Sequence, residues 1–418
     1  MQSLFHKRLS SRLLLILCAM LVTITAFAAP QTAAKWNQQV HFNFVNGTNG
    51  QFADNQIHWA IVGRRWDKDG KHPFVYVDAN GNLVDMNISD NGALTKNGQA
   101  YTNYFHTLAE KNSVTVPLID SARILFSVGP TPMYIQVNKD VNGELAYAGA
   151  NIENENDPNL DVIFDFVEMA IPPNNGIYIN TTRVDHFGFP IRLRLQGADG
   201  YDQEVGEAAG LTRDRIFADF SSIEPAEFRS LVHAPYRIIA PAHGTFRDGE
   251  KDAHYLDRYI DEVWEKYRLE DLKFTNQQGT FTGRVDSDGV FWFREANDAN
   301  PRMYRIKRKP TTMEALLGNG VLDDAGDTDG SPLRRDRQLQ IQAQLCAAIN
   351  RHVAATPEKW SDAASYYPAG KPSNAYSKFW HERSIRGLSY GFAYDDVWDA
   401  SASLHTTSPT TATITIGW

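Results

Sequence analysis

The sequence predicts a β-rich, α+β protein: a β-sandwich or barrel first, an inserted mixed α/β region second, and a C-terminal segment that returns to the β domain. Three observations predict it. Asn-Gly occurs at 46, 49, 80, 91, 97, 142, 175 and 319, and seven of these eight precede residue 180. Both residues tolerate positive φ, so the pair marks tight turns between strands. Beyond about residue 205 the apolar period lengthens from two to between three and four. At the end of the chain, Thr411–Trp418 reverts to alternation.

Taken in order, the β-branched runs are Val40–Val45, Ile57–Val62, Phe74–Val77, Ser113–Leu118, Arg123–Val128 and Met133–Val137. Two longer ones follow, Asp161–Ile171 and Gly176–Leu195. Short helices are expected near 208–219 and 224–232. Tyr255, Tyr259, Ile260, Val263, Trp264 and Tyr267 define an amphipathic helix, with charged residues on its other face. Leu339, Ile341, Leu345, Ile349 and Val353 define another, and strands recur at Gly279–Val285 and Gly289–Arg294. The expected boundaries are 37–200 for the first part of the β domain, 201–384 for the mixed region and 385–418 for the return.

Residues 1–28 read as a secretory signal. Lys7, Arg8 and Arg12 precede the apolar core Leu13–Ile24, and Ala26-Phe27-Ala28 supplies a small-x-small cleavage site. That core is too short to span a bilayer, which takes about 20 residues. The protein is therefore expected outside the cytoplasm, secreted or periplasmic, with no membrane attachment after cleavage. Of two cysteines, Cys18 leaves with the signal, so Cys346 has no intrachain partner and reads as a buried thiol. The net charge of -9 argues against nucleic acid or an anionic membrane as partner.

The chain has no HExxH, no G-x-S-x-G, no Gly-rich phosphate loop and no paired Cys motif. Its twelve histidines are scattered singly, so no metal site and no cofactor is expected. The acidic stretch Leu322–Pro332 lacks a proper ligand at the first and last calcium-loop positions, Ala325 and Asp336, and reads as a solvated turn. The remaining resource for hydrolysis is a carboxylate pair. In Asp161–Pro190, Val162, Phe164, Phe166, Glu168 and Ala170 share one strand face. Apolar neighbours raise the pKa of Glu168 and suit it to act as a general acid. Asp185, between Arg183 and His186 with Asn180-Thr181-Thr182 before them, sits in polar company and should stay ionised as a base. The competing reading makes Glu168 a solvent-facing strand residue and Asp185 a turn former. Direct opposition of the two needs a turn centred near Gly176–Ile177, whereas the Pro-Pro-Asn-Asn-Gly turn centres nearer Asn174, so a longer loop or a bulge is required. Asp165, on the opposite face from Glu168, reads as structural.

The segment DFVEMAI followed by NTTRVDHFGFPIRLRL resembles the catalytic region of glycoside hydrolase family 64, the β-1,3-glucanases. PYRIIAPAH at 235–243, SYGFAYDDVWD at 389–399 and the terminal ITIGW extend the resemblance over roughly 38–418. It implies a thaumatin-like β domain beside a mixed α/β domain with a wide groove between them, and cleavage of β-1,3-glucan with inversion to short oligosaccharides. It places the catalytic acid at Glu168 and the base at Asp185. Sugar contacts are expected from Tyr178 and Thr182, with Asp395, Asp396 and Trp398 behind them; Trp398 reads equally as core or as a stacking ring. Unlike plant thaumatin-like proteins, this chain can form no disulfide. The resemblance implies a secreted endo-acting enzyme, expected to be monomeric; the alternative is a non-catalytic thaumatin-like protein that binds β-glucan without cutting it. A binding module needs no acid–base pair, which is the feature separating the two.

Overall fold

The computed structural model describes residues 36–66, 72–296, 303–325 and 331–418. The signal segment 1–28 and residues 326–330 of the acidic stretch lie outside them. Two sheets dominate the first half. The smaller has five strands in the order Asp202–Gly206, Ile191–Gly197, Pro409–Gly417, Gln39–Gly47, Ser113–Pro117. The C-terminal strand thus enters the middle of this sheet, parallel to Gln39–Gly47 and antiparallel to Ile191–Gly197. The alternating residues 411–417 thus lie in a strand paired with strands from the first half of the chain.

The larger sheet has eight strands. From one edge it places Ser403–Thr406, Ile177–Thr181, Ile163–Ile171, Ile119–Val128 and Ile57–Arg65 side by side. Alternation assigns each strand two faces. Trp59 and Ile61, Ile124 and Phe126, Val167 and Met169, and Ile177 and Ile179 point toward the small sheet and meet Phe42, Leu193 and Ile414 in one buried core. The next residues along point the other way. Ala60, Val62, Leu125, Phe164 and Phe166 pack there beneath Tyr101, Tyr134 and Val137 in a second, smaller core. Glu168 belongs to this outer face.

The Asn-Gly turns are mostly where the sequence put them. Asn97-Gly98 closes a hairpin between Leu94–Lys96 and Gln99–Tyr101 with φ of 52° and 74°, the conformation a two-residue loop needs. Asn46-Gly47 is the exception, because it lies inside a strand. A Cβ on Gly47 would come within 2.9 Å of the Ile416 carbonyl oxygen, so close backbone approach is why glycine is required there. The run Gly176–Leu195 is not one strand. It divides into Ile177–Thr181, His186–Phe187 and Ile191–Gly197. The breaks fall at Arg183, whose guanidinium turns inward to a buried pair of carboxylates, and at Pro190.

A further apolar core is built mainly by helices Arg213–Ser221, Asp257–Leu269, Pro332–Asn350 and Ala375–Arg383 and a four-stranded sheet of Leu272–Asn276, Gly279–Val285, Phe291–Glu295 and Tyr304–Ile306 in the mixed region. Tyr259, Ile260, Val263, Trp264 and Tyr267 are all buried, as their spacing required. The segment expected as a helix near 224–232 is a 3-10 turn, Ala226–Leu231. Cys346 is buried on Pro332–Asn350, with its thiol donating to the Ala315 carbonyl. Among the described residues, no helix is long and apolar enough to cross a membrane.

Candidate active site

Sheet register brings the site together. On the outer face of the larger sheet, Glu168 stands opposite Arg123 on one neighbouring strand and Asn180 on the other. Asn180 in turn stands opposite Ser403. Same-row neighbours across a sheet lie about 5 Å apart, so these polar residues form one continuous line across four strands. The Glu168–Asn180 pairing centres the connecting turn on Asn174, whose φ is 57°. Asp185 is therefore not opposite Glu168 on a strand, and no bulge brings it there. It lies beyond Thr181, where the chain leaves the sheet.

Buried polar groups set the course of that exit. Arg183 donates to both oxygens of Asp165, at 3.1 and 3.0 Å, and to Glu207 at 2.8 Å, all three side chains being out of water. Asp165 also accepts from the backbone amide of Gly188 at 2.8 Å. Burial pushes its carboxyl up to about 6, against the pull of Arg183. Asp165 is accordingly part of the scaffold. The Thr182 hydroxyl accepts from the Val184 amide at 3.2 Å and closes a small turn. The Ala240 amide then donates to the Asp185 carbonyl at 2.9 Å, and His186–Phe187 pairs with Arg237–Ile239.

These constraints aim Asp185 back toward Glu168, and one side chain touches both. Arg123 Nη2 lies 3.0 Å from Glu168 Oε1 and 3.7 Å from Asp185 Oδ2. The two carboxylate oxygens are thus no more than about 7 Å apart, close enough to act on one glycosidic bond. Arg123 also lies over the Phe166 ring, 4.3 Å from its centroid. The neighbourhood of Glu168 is therefore less apolar than its strand face implied. Its pKa is nevertheless raised, because burial outweighs the opposing charge of Arg123 and a hydrogen bond from Asn180, and the Asp185 charge adds to the rise. Asp185 goes the other way. Burial alone would raise it, but His243 and Arg123 hold it well below the usual carboxylate range.

His243 ends the 3-10 turn Pro241–His243. Its Nε2 lies 3.5 Å from Asp185 Oδ1, and its Nδ1 lies 2.6 Å from Glu153 Oε1. Neither Arg123, Glu153 nor His243 is apparent from the sequence as a site residue. Arg123 is separated from Glu168 by 45 positions, and only the register joins them. The available signals were a lone Arg heading an apolar strand run and a His closing the PYRIIAPAH block.

The candidate sugar contacts divide. Tyr178 shares the outer face with Glu168 and Asn180, half-buried and stacked on His405 with ring centroids 4.0 Å apart. Thr182 is buried, and its hydroxyl is engaged in the turn, so the structure does not offer it to a ligand. Asp395 is also withdrawn from that role. It is fully buried, bonded to Arg351 at 2.9 Å, His381 at 3.0 Å and Ser377 at 2.8 Å. Asp396 is half-buried, and burial beside Asp395 pushes its carboxyl up to about 6. Trp398 is exposed, which removes the core reading of that ring. Among the described residues, no three His, Cys, Asp or Glu side chains are grouped so as to hold a metal.

The geometry can be set beside known proteins. The family model described as beta-1,3-glucanase, of glycoside hydrolase family 64, matches residues 38–416. A glucan endo-1,3-beta-glucosidase of Arthrobacter sp. (strain YCWD3) is 32% identical over 314 residues, which is 72% of this chain and 53% of that protein. The chain thus spans about half the length of the curated relatives it matches. The crystal structure of a beta-1,3-glucanase domain from Clostridium beijerinckii is 42% identical, with a TM-score of 0.83 over 92% of this chain and 100% of that one. A laminaripentaose-producing beta-1,3-glucanase from Paenibacillus barengoltzii, complexed with laminarihexaose, is 33% identical with a TM-score of 0.70 over 91% of this chain and 75% of that one. The match runs from the first strand of the small sheet to the last and takes in the whole Arg123–Glu168–Asp185 arrangement: the chain belongs to glycoside hydrolase family 64.

Proposed function

We propose that the protein is a secreted, monomeric, endo-acting β-1,3-glucanase that releases short oligosaccharides by inversion. The observation that carries the reading is one arginine joining two carboxyl groups whose pKa values are driven apart. Glu168, whose pKa burial raises, donates its proton to the glycosidic oxygen as the bond to the anomeric carbon breaks. Asp185, kept ionised, takes a proton from the water that attacks the opposite face of the same carbon. Family membership supports β-1,3-glucan as the polysaccharide, and the outer-face row running from Arg123 to Ser403 with Tyr178 beside it supports an extended binding site. In this reading the two-sheet body is the thaumatin-like domain, residues 201–384 are the inserted domain, and the substrate lies in a groove between them. Residues 1–28 act as the export signal.

The test is incubation with linear β-1,3-glucan, sizing of the products and NMR of the first-formed anomer. Short β-1,3 oligosaccharides with the α-anomer first are expected. Glu168→Gln and Asp185→Asn should each lower turnover by roughly 10²-fold or more, the scale of a lost general acid or base, while glucan binding survives. Near-normal turnover by either variant, or a β-anomer formed first, would reject the assigned roles.

A further inference from the structure

We infer that His243 is a positioning residue for Asp185: a doubly protonated imidazole clamped between Glu153 and Asp185 that holds the base carboxylate ionised and fixes which of its oxygens faces the reaction. The inference rests on the reading of Asp185 as the base.

Each ring nitrogen of His243 faces a carboxylate oxygen, Glu153 Oε1 at 2.6 Å and Asp185 Oδ1 at 3.5 Å. A neutral imidazole carries one N–H and one lone pair, so one of these contacts would set a lone pair against an anion. Only the imidazolium presents an N–H to both carboxylates, as a hydrogen bond to Glu153 and a longer ion pair with Asp185. The ring is buried, so little water competes for either nitrogen. On its far side, Glu153 Oε2 lies 3.5 Å from Arg247 Nη1, which anchors that carboxylate in turn. The backbone makes the clamp stiff, because the Ala240 amide donates to the Asp185 carbonyl three residues before His243.

The electrostatics agree with this geometry. Burial alone would lower the imidazole, but Asp185 and Glu153 outweigh it and lift it to about 9. The other charged or titratable groups coupled to Asp185 are Arg123, from the Ile119–Val128 strand, the adjacent His186, Glu168 and the buried phenol of Tyr376. His186 is held neutral, since burial and the nearby Arg237 take it down to about 3. Arg123 is shared with Glu168 and His243 with Glu153, so His243 is the cation at Asp185 that does not also touch Glu168. With Oδ1 turned to the ring, Oδ2, which has only the longer Arg123 contact at 3.7 Å, is assigned to take the proton from water.

The experiment measures kcat/KM against pH on a soluble β-1,3-linked oligosaccharide for wild type and His243→Gln, with circular dichroism to report folding. An opposite charge at this range is worth roughly one to three pKa units. Loss of the imidazolium should therefore raise the pKa of Asp185 and move the acidic limb up by about one unit or more. A folded His243→Gln enzyme with an unmoved acidic limb would overturn the inference. If that variant does not fold, NMR titration of the His243 ring in the wild-type enzyme and in Glu153→Gln decides. A midpoint well above the ordinary value of about 6.5 that falls in Glu153→Gln supports the clamp, and an ordinary or lower wild-type midpoint overturns it. Asp185→Asn separates the two readings. If it keeps its turnover, Asp185 is not the base and the inference falls with that assignment. If it is inactive and the limb in His243→Gln stays put, the inference alone fails.

Discussion

Arg123 acts on both carboxyl groups, and with the same sign. It opposes the burial-driven rise of Glu168 and contributes to the depression of Asp185. Replacing it by Met keeps much of the aliphatic contact with Phe166 and removes the cation. Glu168 then rises further, and a general acid works only while protonated, so the basic limb of the pH profile moves to higher pH. Asp185 loses one of its two cations and also rises, so the acidic limb moves the same way. The whole bell in Arg123→Met should shift alkaline by about one unit with a lower maximum. An unmoved basic limb would show that Arg123 is not coupled to the acid. At this scale the sequence showed only the local setting of the proposed acid and base, a Glu among Phe residues and an Asp among polar ones. It was blind to Arg123, Glu153 and His243, because a long-range ion pair leaves no local pattern. Thr182 and Asp395, expected at the sugar, have their polar groups bonded within the scaffold.

Among the elements, the strand Ile163–Ile171 explains how one segment serves two cores. Its odd residues Val167, Met169 and Ile171 pack between the sheets, and its even ones Phe164, Phe166 and Glu168 face the site side. That alternation was readable from the sequence. The course of the following segment was not, because tertiary contacts rather than periodicity bend it. Gly188 is the tightest point of that bend. Phe187 on one side belongs to the mixed region's core, and Phe189 on the other belongs to the core between the sheets. A Cβ on Gly188 would lie 1.9 Å from the Phe164 carbonyl oxygen, a backbone atom that cannot rotate away. Gly188→Ala must therefore displace the segment carrying Asp185. A stability loss of about 1–3 kcal/mol or more is expected by denaturant unfolding, with a fall in kcat/KM beyond what the unfolded fraction explains. Wild-type stability in this variant would mean that the approach is looser than drawn.

Across the whole molecule, the mixed region is not sealed at the boundaries the sequence suggested. Its apolar core takes Phe187 from upstream of residue 201 and Phe392, Ala393, Tyr394 and Val397 from beyond residue 384. Composition shifts locate where periodicity changes, but they do not report which side chains cross over to fill another layer. The polar interior crosses as well: buried Arg351 donates to Asp395 and to the Val397 carbonyl, and buried Tyr376 donates to the Arg183 carbonyl. Excising 201–384 would strip these groups from the fragment. It would open a cavity where Phe187 and Phe392 pack and leave Arg351 as a buried, unpaired charge, a loss costing about 3–5 kcal/mol by itself. A domain's net stability is only about 5–15 kcal/mol, so the isolated fragment should not fold cooperatively. Expressed alone, it should give poorly dispersed NMR spectra and a broad thermal transition. The full chain, with both cores joined through residues 182–189 and 389–399, should unfold in a single transition seen identically by near-UV and far-UV circular dichroism. A sharp, native-like transition in the 201–384 fragment would show that the two cores are energetically independent, and the shared segment would then be a linker rather than the structural base of the site.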